Sequence, residues 1–203
     1  NIYNDNFSNL FKNHSNVNDE KINEITNNYF SKLELFNPNK KIILDKNPLN
    51  FQWLGFIKIL FPQAKIIHCT RNLSDTAVSI YKNAFDINSL RWSNNEDDLV
   101  KYISYYLELM RFWKEKLPSF IYDINYQNLI ENPKIQIENL TKFCELEWEE
   151  NCLHHNKVPT PIKTVSIAQA REPIYKTSIN NSQKYNNFLN FFKKLKNLEK
   201  EYK

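Results

Sequence analysis

Residues 64–81, AKIIHCTRNLSDTAVSIY, decide the fold. "AKIIHC" (64–69) is an apolar run of strand length. From Ser74 to Asn83 the apolar residues return at helical spacing, and Ser74 or Asp75 suits a helix N-terminus. Arg71 stands at the junction, and Ser79 follows eight positions later. In open α/β sheets, ligands bind beyond the carboxyl ends of the strands, where helix N-termini aim unpaired N–H groups outward. A guanidinium there can grip a phosphate through two parallel hydrogen bonds, and a hydroxyl two turns along the helix can donate another. The pair suits a phosphate monoester. Alone, so loose a spacing fits at least as well an Arg71 that pairs with a surface carboxylate and a Ser79 that is a small packed residue.

Working outward, "KIILD" (41–45) is a second strand-length run, and "PLNFQWLGFIKILFP" (48–62) between the two reads as a largely buried helix ended by Pro62. Strand, helix, strand favours a parallel sheet with a right-handed crossover. On the N-terminal side, Ile22, Ile25, Tyr29 and Leu33 define an amphipathic helix that begins near Asn18 or Asp19. Downstream, Leu99, Ile103, Leu107, Met110 and Trp113 line a long helix over 96–117, stopped by Pro118. "FIYDINY" (120–126) is a third strand, followed by two short helical patterns, the first lined by Ile137, Leu140 and Phe143. Residues 156–182 hold three prolines with little periodicity and read as a long loop of the kind that carries function. A last helix, about 185–198, is expected to bury Phe188, Leu189 and Phe192. The whole reads as a three-layer α/β arrangement.

Composition narrows the function. A chain of 203 residues, 41% hydrophobic, can bury one sizeable core, which argues for one domain rather than two. A net charge of +4 with 25% charged residues is too mild for a dedicated nucleic-acid binder but suits a local basic pocket for a small anion. The three cysteines, Cys69, Cys144 and Cys152, have neither disulfide-framework nor zinc spacing, which fits a reducing, cytoplasmic compartment. No apolar stretch approaches the length that crosses a bilayer. The one glycine, Gly55, rules out a glycine-rich phosphate loop within this chain, and with it the Walker lysine loop of a kinase. His68 reads as a satisfied core histidine; His154 and His155 are adjacent and lack metal-spaced partners, so no metal is expected.

The stretches "LDKNPLNFQWLGFIKILFPQAKIIHCTRNLSDTAVSIY", "INYQNLIENP" and "TVSIAQAREPIY" together resemble the sulfotransferase superfamily, over residues 41 to about 185. The resemblance is greatest to bacterial proteins that join tetratricopeptide repeats to a sulfotransferase domain, and less close to tyrosylprotein sulfotransferases. It implies a P-loop-NTPase-like sulfotransferase fold, incomplete at the N-terminus. Within one domain it implies a helical part over 1–40, a sheet core with the 3'-phosphate site over 41–130, and a helical part with a cofactor-covering loop over 131–203. It implies transfer of a sulfuryl group from 3'-phosphoadenosine 5'-phosphosulfate (PAPS) to a hydroxyl acceptor, a protein tyrosine, glycan or small alcohol, leaving 3',5'-adenosine bisphosphate.

By position, the resemblance gives Arg71 and Ser79 the 3'-phosphate, and Lys46 of "DKNP" the oxygen that bridges phosphate and sulfuryl group. It places Ser178 near the transferred group, Tyr126 at the nucleotide, and Arg171 of "AREP" where it shapes the site. Each has a plain alternative: Lys46 in a surface salt bridge, Ser178 as a loop hydroxyl, Tyr126 as a core aromatic. The family's Pro-x-Ser-Gly-Thr-Thr loop and the tyrosylprotein sulfotransferases' catalytic glutamate have no counterpart here. An arginine awaited near Thr160 is absent, and Asn180, Asn181 and Ser182 stand in place of Gly-Arg-Trp. The expectation is that this chain is the C-terminal part of a longer protein, with those elements before Asn1. The missing central strand would leave sheet edges that invite self-association. The rival reading is a catalytically inactive module of the same fold that serves in protein association.

Overall fold

In the computed structural model, which describes residues 18–34, 42–83, 85, 90–157 and 179–202, the apolar run at 64–69 forms a strand, β1 (Ile66–Thr70). Its partner is β2 (Ile121–Asn125), and the pair is parallel, in register from Ile66 against Ile121 to Thr70 against Asn125. Parallel pairing needs a long crossover, supplied here by two helices, α3 (Leu73–Lys82) and α4 (Glu96–Lys116). The fold is therefore mixed, helices with a small parallel sheet, and two compact units divide it, Asn1–Ala64 and Lys65–Lys203.

In the first unit, α1 (Asp19–Glu34) starts where the Asn18 side chain accepts from the Lys21 N–H at 3.0 Å, with Asp19 and Glu20 at the positive end of the helix dipole. The Tyr29 and Phe30 rings pack on Phe61, with centroids 4.9 and 5.6 Å away. Pro48–Trp53 is a 3₁₀ turn capped by Asn47, and it runs into α2 (Leu54–Leu60), which buries Leu54, Ile57 and Leu60. The helix expected over 48–62 is thus two pieces, ended before Pro62. The strand expected at 41–45 is not formed over the described residues 42–45. Ile42, Ile43 and Leu44 are 64%, 45% and 81% exposed, so burial does not favour an extended ladder there.

In the second unit, α4 begins at Asn95, whose side chain accepts from the Asp97 and Asp98 N–H groups, and ends one residue before Leu117 and Pro118. Leu99, Ile103 and Met110 line its buried face. After β2 come α5 (Tyr126–Glu131) and α6 (Pro133–Phe143), the latter with proline at its start; Phe143 stacks on Tyr122 of β2, centroids 5.0 Å apart. The last helix, α7 (Phe191–Glu201), begins later than its apolar pattern implies. Phe191 and Phe192 are buried while Phe188, expected inside, is 77% exposed in the preceding turn. The core joins Ala77 and Val78 of α3, Leu99 and Ile103 of α4, and Phe191, Phe192 and Leu195 of α7. No helix among the described residues is long and apolar enough to cross a membrane.

Candidate functional site

Because β1 and β2 are parallel and end level, at Thr70 and Asn125, the residues that follow the two strands emerge side by side. These are Arg71 and Tyr126. The Arg71 guanidinium carbon sits 5.4 Å from the centre of the Tyr126 ring, a cation–π contact that holds the charge at the carboxyl edge of the sheet. The Arg71 side chain stays 28% exposed. Next to it, Asn72 caps α3 by accepting from the Asp75 N–H at 2.9 Å, and Asn125 caps α5 by accepting from Gln127 and Asn128. The positive end of α3 and the partly exposed Arg71 side chain thus share one edge, an arrangement suited to an anion.

Asp75, in the first turn of α3, is the part of this site that sequence reasoning reads only as a helix start. Its side chain is 2% exposed, and Arg71 Nη2 lies 3.8 Å from its Oδ2. The Asp75 carboxylate accepts the backbone N–H of Asn180 at 2.9 Å and of Ser182 at 2.8 Å. Asn180 takes the left-handed conformation, φ 59° and ψ 18°, at the position where the resemblance leads to the expectation of a glycine. Asparagine tolerates that region better than other residues with a side chain, so the turn is made without glycine. The spacing of Arg71 and Asp75 by four residues was a legible sign of the pair; the turn at 180–182 was not.

The remaining expected site residues fall as follows. Ser79 lies on α3 at its exposed surface, two turns beyond the cap, and its carbonyl accepts from Asn83 Nδ2 at 2.7 Å. Lys46 is exposed in the first unit, directly before the Asn47 cap. Arg171 and Ser178 lie outside the described residues. The structure brings Arg71 and Tyr126 together and adds Asp75.

A second polar cluster crosses the middle of the sheet. His68 and Asp123 are register partners, and His68 Nδ1 meets Asp123 Oδ1 at 2.6 Å while Nε2 meets the Tyr106 hydroxyl. Lys114 Nζ lies 2.7 Å from the other Asp123 oxygen. Burial pushes the His68 imidazole below its ordinary 6.5, against the hydrogen bond and charge of Asp123. Burial also drives the Tyr106 phenol up to about 12, with the charge of Asp123 adding to it. Burial raises Asp123 as well, but the Lys114 and His68 hydrogen bonds and charges together bring it below the usual carboxylate value. A neutral ring that donates from Nδ1 to the carboxylate and accepts at Nε2 from the tyrosine satisfies every group, as the core reading of His68 requires. Among the described residues, no cluster of His, Cys, Asp and Glu is placed to hold a metal ion.

The model of a family described as "Sulfotransferase family" matches residues 5–150, which include Lys46, Arg71, Ser79 and Tyr126. An uncharacterized protein of Aquifex aeolicus is 37% identical over 155 residues, 72% of this chain and 20% of that protein. A putative protein-tyrosine sulfotransferase of Caenorhabditis briggsae is 24% identical over 116 residues, 57% of this chain and 41% of that one. Protein-tyrosine sulfotransferase A of Caenorhabditis elegans is 25% identical over 121 residues, 57% of this chain and 30% of that one. The chain thus spans well under half the length of these relatives. With most of its length matched by the family model and its basic residue set at the strand ends, this chain belongs to the sulfotransferase family.

Proposed function

We propose that this chain carries the nucleotide half of a PAPS-dependent sulfotransferase, with the three-layer, P-loop-like architecture of that family, acting on a hydroxyl acceptor. The single observation that supports the reading is Arg71, held over Tyr126 at the carboxyl end of β1 beside the capped start of α3. PAPS supplies the activated sulfuryl group. Arg71, with Ser79 further along α3, binds the 3'-phosphate; Tyr126 flanks the nucleotide while it orients the guanidinium. Lys46 holds an ammonium for the bridging oxygen, where negative charge grows as the bond to sulfur breaks. Ser178 hydrogen-bonds near the transferred group, and Arg171 shapes the site. In the balanced step, the acceptor oxygen bonds to sulfur, the acceptor proton goes to a base, and the electron pair of the broken bond stays on the departing adenosine bisphosphate.

The test is calorimetric titration of the chain with 3',5'-adenosine bisphosphate, beside Arg71→Ala and with ATP as competitor. We expect binding that falls at least tenfold in the variant and that ATP does not abolish. Equal affinity in both proteins, or none in a chain shown to fold, overturns the assignment. For turnover, Lys46→Ala in the whole gene product is expected to stop transfer of radiolabelled sulfate from PAPS while leaving nucleotide affinity near normal.

A further inference from the structure

Among the described residues, Asp75 is the ionisable residue most completely withdrawn from solvent, 3% exposed as a whole residue. A carboxylate so placed needs compensation, and it finds it in backbone N–H groups 105 and 107 residues further along the chain. Both oxygens are committed to that turn. The Arg71 guanidinium approaches the same Oδ2 at 3.8 Å, beyond hydrogen-bond length, so charge attraction steers it without fixing its donors to this carboxylate. Asp75 lies between Arg71 and the turn and faces both.

We propose that Asp75 is the positioning residue of the anion site: it fastens the Asn180–Ser182 turn to the first turn of α3 and holds Arg71 at the strand end, so that 3'-phosphate affinity and the order of that turn rise and fall together. This rests on the reading that Arg71 binds the 3'-phosphate of the nucleotide. In sequence, Ser178 lies two residues before Asn180. Isolated from Arg71, a buried acid would only brace a loop; its contact with the guanidinium is what makes it a determinant of ligand selection.

The experiment titrates the chain, Asp75→Asn and Asp75→Ala with 3',5'-adenosine bisphosphate and with adenosine 5'-monophosphate, and follows amide exchange at Asn180 and Ser182 with and without the bisphosphate. In the unaltered chain the bisphosphate is expected to slow exchange at both amides. Asp75→Ala should weaken the bisphosphate at least tenfold with little change for the monophosphate, and should erase the ligand-linked protection. Asp75→Asn, which keeps one acceptor oxygen and the side-chain volume, should fall between and decides alone if the alanine variant does not fold. Equal bisphosphate affinity in a folded Asp75 variant, or equal losses for the two nucleotides, overturns the proposal and leaves the sulfotransferase reading standing. An unaltered chain that folds and binds neither nucleotide overturns that reading and the coupling with it; amide exchange unchanged by Asp75→Asn separately refutes the tether.

Discussion

Leu195→Ala asks whether the last helix belongs to the same core as the anion site. Leu195 is 0% exposed and packs in one cluster with Ala77, Val78, Leu99, Ile103, Phe191 and Phe192. Truncation removes three carbons, about 2.4 kcal/mol at ~0.8 kcal/mol per buried methylene. A cavity term adds to this, because the Phe191 and Phe192 rings, with centroids 4.9 Å apart, fill their own space and cannot readily close over the gap. The expected loss is about 3–4 kcal/mol, within the usual range for buried Leu→Ala changes. With a urea slope of about 2 kcal/mol/M, the unfolding midpoint should drop by roughly 1.5–2 M. The control is Lys194→Ala, one residue away, which removes only an exposed contact with Asp97 and should barely move the midpoint. Urea unfolding followed by circular dichroism decides the matter. If Leu195→Ala costs less than about 1 kcal/mol, or no more than its neighbour, residues 191–201 do not complete the core and the argument fails.

The His68 cluster predicts stability that depends on pH in two directions. The folded pKa of His68 lies below 6.5, so the unfolded chain binds more protons in acid; its contribution is complete above about pH 6.5 and is lost as pH falls into the window beneath it. Tyr106, raised from 10.0 to about 12, binds its proton more tightly when folded, so stability should fall as pH climbs from 10 to 12. Tyr106→Phe should remove that alkaline limb, measured by urea unfolding at each pH, and an unchanged limb would assign it to another group. At Asn180, the left-handed backbone predicts that glycine is tolerated while valine, branched at Cβ, costs about 1–2 kcal/mol more than glycine. Thermal melts of the two variants that coincide would refute this.

How far the sequence could be read follows from what each signal encodes. α4 was readable because its buried stripe repeats at helical spacing and Pro118 stops it locally through a missing N–H; the Asn95 cap at its start is a finding of the structure. The start of α3 was read two or three residues late, at Ser74 or Asp75, because Asn72 takes the cap and Leu73 opens the helix. Ile42–Leu44 misled, since an apolar run carries no information about whether a neighbouring strand is present to pair with it. At the C-terminus, the apolar residues Phe188, Leu189, Phe191 and Phe192 fit two helix frames, and the 3₁₀ turn Asn181–Tyr185 with the bend after it selects the later one. The site divides likewise. Arg71 was visible as a charge at a strand end, whereas its contact with Tyr126 depends on the register of two strands over fifty residues apart in sequence. The Asp75 partners are more distant still, and nothing in the local pattern announces a carboxylate that holds backbone so far away.

Asparagine is abundant in this chain, and the structure gives it recurring employment: Asn18, Asn47, Asn72, Asn95 and Asn125 each accept a backbone N–H at the start of a helical segment. Aspartate caps helices about as well, so for most of these positions the choice is immaterial to folding. Next to Arg71 it is not. An amide at position 72 satisfies an orphan donor of α3 without adding a negative charge to the edge where an anion must arrive. Asp75 already places one negative charge beside Arg71, so the neutral caps Asn72 and Asn125 start the two helices of this edge without setting a second one in the path of a phosphate or sulfate.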